Sequence, residues 1–420
     1  MKERSRLLGV GSVALTPPPK PCRQTWLLIA VLILVGSGTC AFAPVASARG
    51  QTGSFPLQLV NRTHGRWSDR QIYVTVLGIG SSGRWSYLRP NGTMAPLDHT
   101  MASAPGHLEK HGRAYPDMSF TLARGSTVRL PATIVGARIY ISVGSPMFLA
   151  VDADDNGWAG PNLLDPSDPN HDVYFDWYEL TYRYGVIPFG GNTTQVDMFG
   201  LPLVVRLRQR SSRYDRVTGI ALTREQVYAR YRAEVRPAFR SLAGRYRILA
   251  PHTAPRFGPD GPDHTYLNSE IDAAWSKWAD DGFAVNHLGQ SFTGRVVGDV
   301  LSGTMDEAQP FSMAKPTSSD VLGCSGALAS EGMSTADLAL GAVLCAAFSR
   351  GVATLPTALW YRPSAYYTHQ PDNEYAGFFH SIAIGHRAYG FPYDDVNDQS
   401  SVAILPDADP PSSLTITVGW

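Results

Sequence analysis

The sequence predicts a mainly β fold, a sandwich or barrel, joined to a smaller mixed α+β part. Short stretches with strand-like alternation of apolar and polar residues recur from residue 51 to about 218 and again near the C-terminus. Forty Gly and 31 Pro punctuate them, and 17% of residues are charged against a typical ~25%, a composition suited to many turns. Between residues 219 and 379 the apolar spacing changes to a helical period. The expected organisation is therefore an exported segment over 1–48, a β domain over 51–218 completed by residues 380–420, and an α+β domain over 219–379.

In chain order, F-P-L-Q-L-V-N from Phe55 reads as a first strand and Q-I-Y-V-T-V-L-G from Gln71 as a second. Arg84 to Leu97 predicts a hairpin around Asn91-Gly92, a strong two-residue turn signal. S-F-T-L, T-V-R-L-P and A-R-I-Y-I-S-V add three strands between Ser119 and Leu149. Asp152, Asp154, Asn156 and Gly157 match the start of a calcium loop, but Leu163 stands where the bidentate Glu belongs, so a surface Asx turn is the better expectation. Thr223 with Gln226 forms a capping box ahead of Val227, Tyr231, Val235 and Phe239, with a stop or kink near Pro237. A second helix is expected over Tyr266 to Ala279 and a third over Thr335 to Arg350, ended by Gly351. L-T-I-T-V-G-W closes the chain as a strand returning to the β domain.

Formal net charge is zero over 420 residues. Residues 1–48 hold five Lys/Arg and one Glu, which leaves 31 basic against 35 acidic residues, about −4, for the rest. No basic surplus calls for nucleic acid or an anionic membrane surface. A basic start, the apolar run Trp26 to Val35 and A-S-A at Ala46 to Ala48 form a signal peptide, cleaved before Arg49. An uncleaved anchor from Trp26 to Val45 is the alternative. Cys22 and Cys40 fall in that segment; Cys324 and Cys345 remain, an even pair that in an exported protein suggests one disulfide, with two buried thiols as the alternative.

There is no G-x-S-x-G, H-E-x-x-H, P-loop or recognisable Cys/His pair, so carboxylate chemistry is what remains and no cofactor is expected. Two neighbouring stretches carry it. In Y-F-D-W-Y-E-L-T-Y, Phe175, Trp177, Glu179 and Thr181 share one strand face, and Asp176, Tyr178, Leu180 and Tyr182 the other. In N-T-T-Q-V-D-M-F-G-L-P-L, Thr193, Gln195, Asp197 and Phe199 share a face. With a Gly/Pro-rich connection between them, Glu179 and Asp197 are expected on adjacent strands across a cleft. Two carboxylates beside aromatic rings suit glycoside hydrolysis, although such a pair also occurs as a solvated face. Trp177 is expected to raise the acid's pKa as an apolar neighbour, and Thr193 and Gln195 to keep the base ionised.

These two stretches, with N-E-Y-A-G-F-F-H and A-Y-G-F-P-Y-D-D-V-N-D-Q-S-S near the C-terminus, resemble the β-1,3-glucanases of glycoside hydrolase family 64, and more loosely thaumatin-like proteins. The resemblance covers most of residues 55–420. It implies a thaumatin-like β-barrel, a smaller mixed domain and an open groove between them. It implies an inverting mechanism with Glu179 as general acid and Asp197 as general base. Thr181 and Thr194 fall where the family contacts sugar hydroxyls, and Asp394 and Asp395 on its acidic C-terminal motif; Asn373 and Tyr375 are further binding candidates. Arg183 and Ile187 to Phe189 stand where the family has Asn and Trp, a departure at the outer sugar subsites. The implied protein is a secreted monomeric endo-glucanase, free of membrane after signal cleavage, acting on β-1,3-glucan such as laminarin, curdlan or fungal cell-wall glucan. The rival reading is a non-catalytic glucan-binding module.

Overall fold

The first and last strands bury every second side chain, and that alternation builds one sheet. Phe55–Arg62 and Ser413–Gly419 pair in parallel, with Leu57 beside Leu414 and Leu59 beside Ile416. The five-stranded sheet runs Tyr214–Gly219, Leu203–Gln209, Ser413–Gly419, Phe55–Arg62, Thr127–Leu130. A second, eight-stranded sheet runs Ala403–Ile404, Ile187–Thr193, Tyr174–Arg183, Thr133–Val143, Ile72–Ile79, Trp85–Leu88, Met94–Pro96, with Phe120–Thr121 also paired to Ile72–Ile79. This computed structural model describes residues 52–420; the expected signal segment, its cleavage point, Cys22 and Cys40 lie outside them. Among the described residues no helix is long and apolar enough to cross a membrane.

The two sheets enclose a core that includes Leu57, Val205 and Ile416 from the first and Val74, Ile139, Tyr178 and Leu180 from the second. The opposite face of the second sheet carries another apolar cluster, with Leu77, Tyr140, Phe148, Phe175 and Trp177. The strand Tyr174–Arg183 is thus apolar on both sides, as its two-faced sequence predicts. Each fully buried large side chain contributes on the order of 1.5–3 kcal/mol.

A third cluster runs from Phe199 to Phe391 through the helices. The Thr223–Gln226 capping box starts the helix Arg224–Glu234, and Pro237 opens a separate turn, Pro237–Arg240. The helix Asn268–Asp280 starts two residues later than its spacing predicts and buries Ile271, Trp275 and Trp278. Thr335–Ser349 starts at a Ser334–Asp337 capping box and stops before Gly351, whose φ of +66° suits glycine. Cys324 and Cys345 form the expected disulfide, joining the end of the helix Ser318–Gly323 to Thr335–Ser349 with Cα atoms 5.5 Å apart.

Two features depart from the sequence reading. Residues 283–314 form a four-stranded antiparallel meander, Phe283–His287, Gln290–Val297, Val300–Met305 and Gln309–Ala314. N-E-Y-A-G-F-F-H forms the helix Glu374–Ile382, capped by the Asn373 side chain. The Asp152 loop is an Asx turn, with the Asn156 amide donating to Asp154 at 3.3 Å. Its Asp155, not one of the residues in calcium register, accepts from the backbone and ring of His99, and Asp98, His99 and Asp155 are the one metal-compatible group among the described residues.

Candidate active site

Strand register places the first carboxylate. Glu179 lies opposite Arg138 on Thr133–Val143 and opposite Asn192 on Ile187–Thr193. Directly opposite side chains on one face are within reach of each other, and Arg138 Nε donates to Glu179 Oε1 at 3.0 Å. Trp177 Nε1 donates to the same oxygen at 3.1 Å. Trp177 therefore meets Glu179 through its polar N–H, not as the apolar wall expected of it. Its ring faces Arg138, whose guanidinium carbon is 5.2 Å from the ring centroid. No donor among the described residues other than Arg138 and Trp177 reaches Glu179, and 28% of the side chain is open.

Asp197 is not on the neighbouring strand. That strand ends at Thr193, and Asp197 sits in the loop before Met198–Phe199. The loop is fixed from several directions. The Gln195 amide donates to Tyr389 O at 2.8 Å, and Tyr375 donates its hydroxyl to Gln195 O at 2.7 Å. The Ala250 amide and Thr253 hydroxyl both donate to Asp197 O at 2.9 Å. Gly200 must be glycine, because a Cβ there would lie 1.9 Å from Phe175 O, and its amide donates to the buried Asp176 carboxyl.

The Asp197 carboxylate has its own partner in His252, whose Nε2 is 3.2 Å from Oδ1. Desolvation pushes the Asp197 carboxyl up, but the hydrogen bond and charge of His252 and the charge of Arg138 outweigh it and leave the group lowered. Burial alone would lower the Arg138 guanidinium; Tyr140, Glu179 and Asp197 outweigh that and raise it. Arg138 is thus a fixed cation in the field of both carboxylates. Asp197 is kept ionised by His252 and Arg138; Thr193 and Gln195 are not among the groups that act on it.

The remaining expected residues divide by burial. Thr181 is half-buried, and its hydroxyl accepts from the Gly136 amide at 3.0 Å. Asp395 is half-buried, and both it and Glu179 act electrostatically on the buried Tyr389 hydroxyl. Thr194, Asn373, Tyr375 and Asp394, the other binding candidates, are at most 2% exposed. Thr194 accepts from the Val196 amide, and Asn373 caps its helix. Asp394 accepts from Arg350 Nη2 at 3.1 Å, His380 Nε2 at 2.8 Å and the Gly390 amide at 2.9 Å. Such groups hold the framework under the site. Sequence reasoning missed Arg138 and His252; the first was legible only through strand register, and nothing in the sequence ties the second to Asp197, 55 residues earlier.

The family model of β-1,3-glucanases, glycoside hydrolase family 64, matches residues 53–418. A glucan endo-1,3-β-glucosidase of Cellulosimicrobium cellulans is 27% identical over 398 residues, which cover 90% of this chain and 68% of that protein. Among solved structures, a β-1,3-glucanase domain from Clostridium beijerinckii superposes with a TM-score of 0.80 at 31% identity, covering 88% of this chain and 98% of that one. A laminaripentaose-producing β-1,3-glucanase from Paenibacillus barengoltzii, solved with laminarihexaose, gives 0.70 at 32% identity, covering 88% and 75%. With its mainly β architecture and a match over nearly all described residues, this chain belongs to the β-1,3-glucanases of glycoside hydrolase family 64.

Proposed function

We propose that the protein is an exported, endo-acting β-1,3-glucan hydrolase that inverts configuration, with Glu179 as general acid and Asp197 as general base. The observation that carries this reading is the unequal treatment of the two carboxylates. Arg138 and Trp177 both take Oε1 of Glu179, so Oε2, which no donor among the described residues reaches, is the oxygen that serves a leaving group. Asp197 is held ionised, as a base that activates water must be. No donor among the described residues reaches its Oδ2, which is left for that water.

The chemistry follows from these positions. Glu179 protonates the glycosidic oxygen while Asp197 removes a proton from water attacking the anomeric carbon from the opposite face. Arg138 then stabilises the Glu179 carboxylate that proton transfer leaves behind. Thr181 and Asp395 are the sugar-binding side chains of the expected set, because these two retain open surface where Thr194, Asn373, Tyr375 and Asp394 do not. The substrate class is β-1,3-glucan such as laminarin, in keeping with the laminarihexaose bound to the Paenibacillus relative.

Incubation with laminarin tests the reading. New reducing ends and a ladder of laminari-oligosaccharides are expected from the wild type. Glu179→Gln and Asp197→Asn should each lose activity by ~10²–10⁴-fold, the usual share of general acid–base catalysis, while still binding glucan. Glucan binding with no reducing ends from the wild type would make the protein a binding module instead.

A further inference from the structure

We infer that His252 is a positioning residue for the reaction: it holds the Asp197 carboxylate in place and in its charged form, and so sets the acid side of the pH–activity profile. The inference rests on the reading of Asp197 as the base. It names a residue 55 positions away in sequence and contributed by the helical part of the chain.

The geometry is a clamp made by one short segment. Ile248–Leu249 pairs antiparallel with Met198–Phe199, immediately after Asp197. The next residue, Ala250, donates its amide to Asp197 O at 2.9 Å, and the turn Pro251–Thr253 then folds back so that Thr253 reaches the same carbonyl. Between these two backbone anchors the turn presents His252, with Nε2 3.2 Å from Oδ1 and 21% of the side chain open. The segment fixes both ends of Asp197, its carbonyl and, through Oδ1, its carboxylate.

Charge matters as well as position. The hydrogen bond of His252 and its charge both favour the ionised Asp197 carboxylate. Other titratable groups face this pair. Arg138 from the strand Thr133–Val143 favours the charged carboxylate, while Glu179 lies on the neighbouring strand. Tyr375, from Glu374–Ile382, is neutral and has its hydroxyl engaged on Gln195 O. The helix Ser318–Gly323, packed against the turn, brings Asp320, which is occupied capping the Thr317 amide. Among the described residues, His252 is therefore the one side chain bonded directly to the Asp197 carboxylate.

The test compares pH profiles of kcat/KM on laminarin for the wild type, His252→Gln and His252→Ala, with folding checked by circular dichroism. The acid limb reports ionisation of the base in the free enzyme. The Gln variant keeps an N–H donor at the position of Nε2 but no charge. Its rate at neutral pH should fall less than about tenfold, while its acid limb moves up by about one pH unit. The Ala variant, which loses the hydrogen bond as well, should show a larger displacement and a larger rate loss. A rate loss that is uniform across pH, with the acid limb unmoved in both variants, would overturn the inference. Asp197→Asn and Glu179→Gln run alongside. If they retain near-normal turnover, the assignment of the base fails and this inference with it. If they are inactive while neither His252 variant moves the limb, the base stands and only the role of His252 is rejected.

Discussion

Arg138 and Glu179 stand directly opposite each other on neighbouring antiparallel strands, and the guanidinium donates Nε to Oε1 at 3.0 Å. A charged partner on the proposed acid has a consequence for rate. A charge-assisted hydrogen bond contributes about 1.5–3 kcal/mol, or roughly 10–100-fold in rate if it is used in the transition state. Arg138→Met should therefore lower kcat on laminarin by about 10–100-fold. Steady-state rates decide it; a normal kcat would separate Arg138 from the chemistry.

Asp394 and Asp395, adjacent in sequence, should behave differently. Asp394 is 0% exposed and neutralises Arg350, itself 1% exposed. Removing one partner of a buried pair leaves an uncompensated charge and costs about 3–5 kcal/mol. Asp394→Ala should lower Tm sharply or prevent folding. Asp395→Asn should fold normally and raise KM for laminari-oligosaccharides. Thermal melts and kinetics of the two variants provide the check.

Asp372 gives stability a pH dependence. Burial, then the nearby Glu374, push its carboxyl up to about 7, against the opposing charge of Arg236. An acid whose folded pKa lies above its unfolded value binds more protons when folded. Its contribution is complete below the unfolded value near 3.8 and is lost as pH rises to about 7. Asp372→Asn should therefore flatten the decline in Tm between about pH 4 and pH 7, with the gain appearing at the neutral end.

The Cys324–Cys345 bridge spans 21 residues, a loop whose closure is worth about 3 kcal/mol on the chain-entropy account. Peptide mapping without reductant should recover one linked peptide, and the Cys345→Ala variant should melt lower. Two freely alkylated thiols in the native protein would contradict the bridge.

Much of the sandwich was legible because its strands alternate cleanly. In Tyr174–Arg183, Tyr178, Leu180 and Tyr182 face one core while Phe175 and Trp177 face another. The helix starting at Thr223 was legible from its capping box. The meander over 283–314 was not, because small and polar residues interrupt its apolar alternation, Gly294 in the second strand and Ser302 to Thr304 in the third. Glu374–Ile382 was missed because Gly377 and three aromatics mask the helical period in nine residues. Within the site, the sequence singles out Glu179 and Asp197 but not what surrounds them. Arg138 meets Glu179 only because Thr133–Val143 pairs in one register, and a one-residue slip would turn it to the other face. Tyr375 and Asn373 stood out in the sequence beside the binding residues, yet they are buried: Tyr375 fixes the loop that carries Asp197 and Asn373 caps the helix behind it.

The central claim is hydrolysis by a Glu179 acid and an Asp197 base acting through a single displacement by water. Proton NMR of the first products released from a β-1,3-glucan reads it directly, before the anomers equilibrate. Attack by water from the face opposite the leaving group inverts the centre, so the newly formed reducing end should be the α-anomer. A β-anomer as the first product would mean a double displacement through a covalent intermediate and would contradict the roles assigned to both carboxylates.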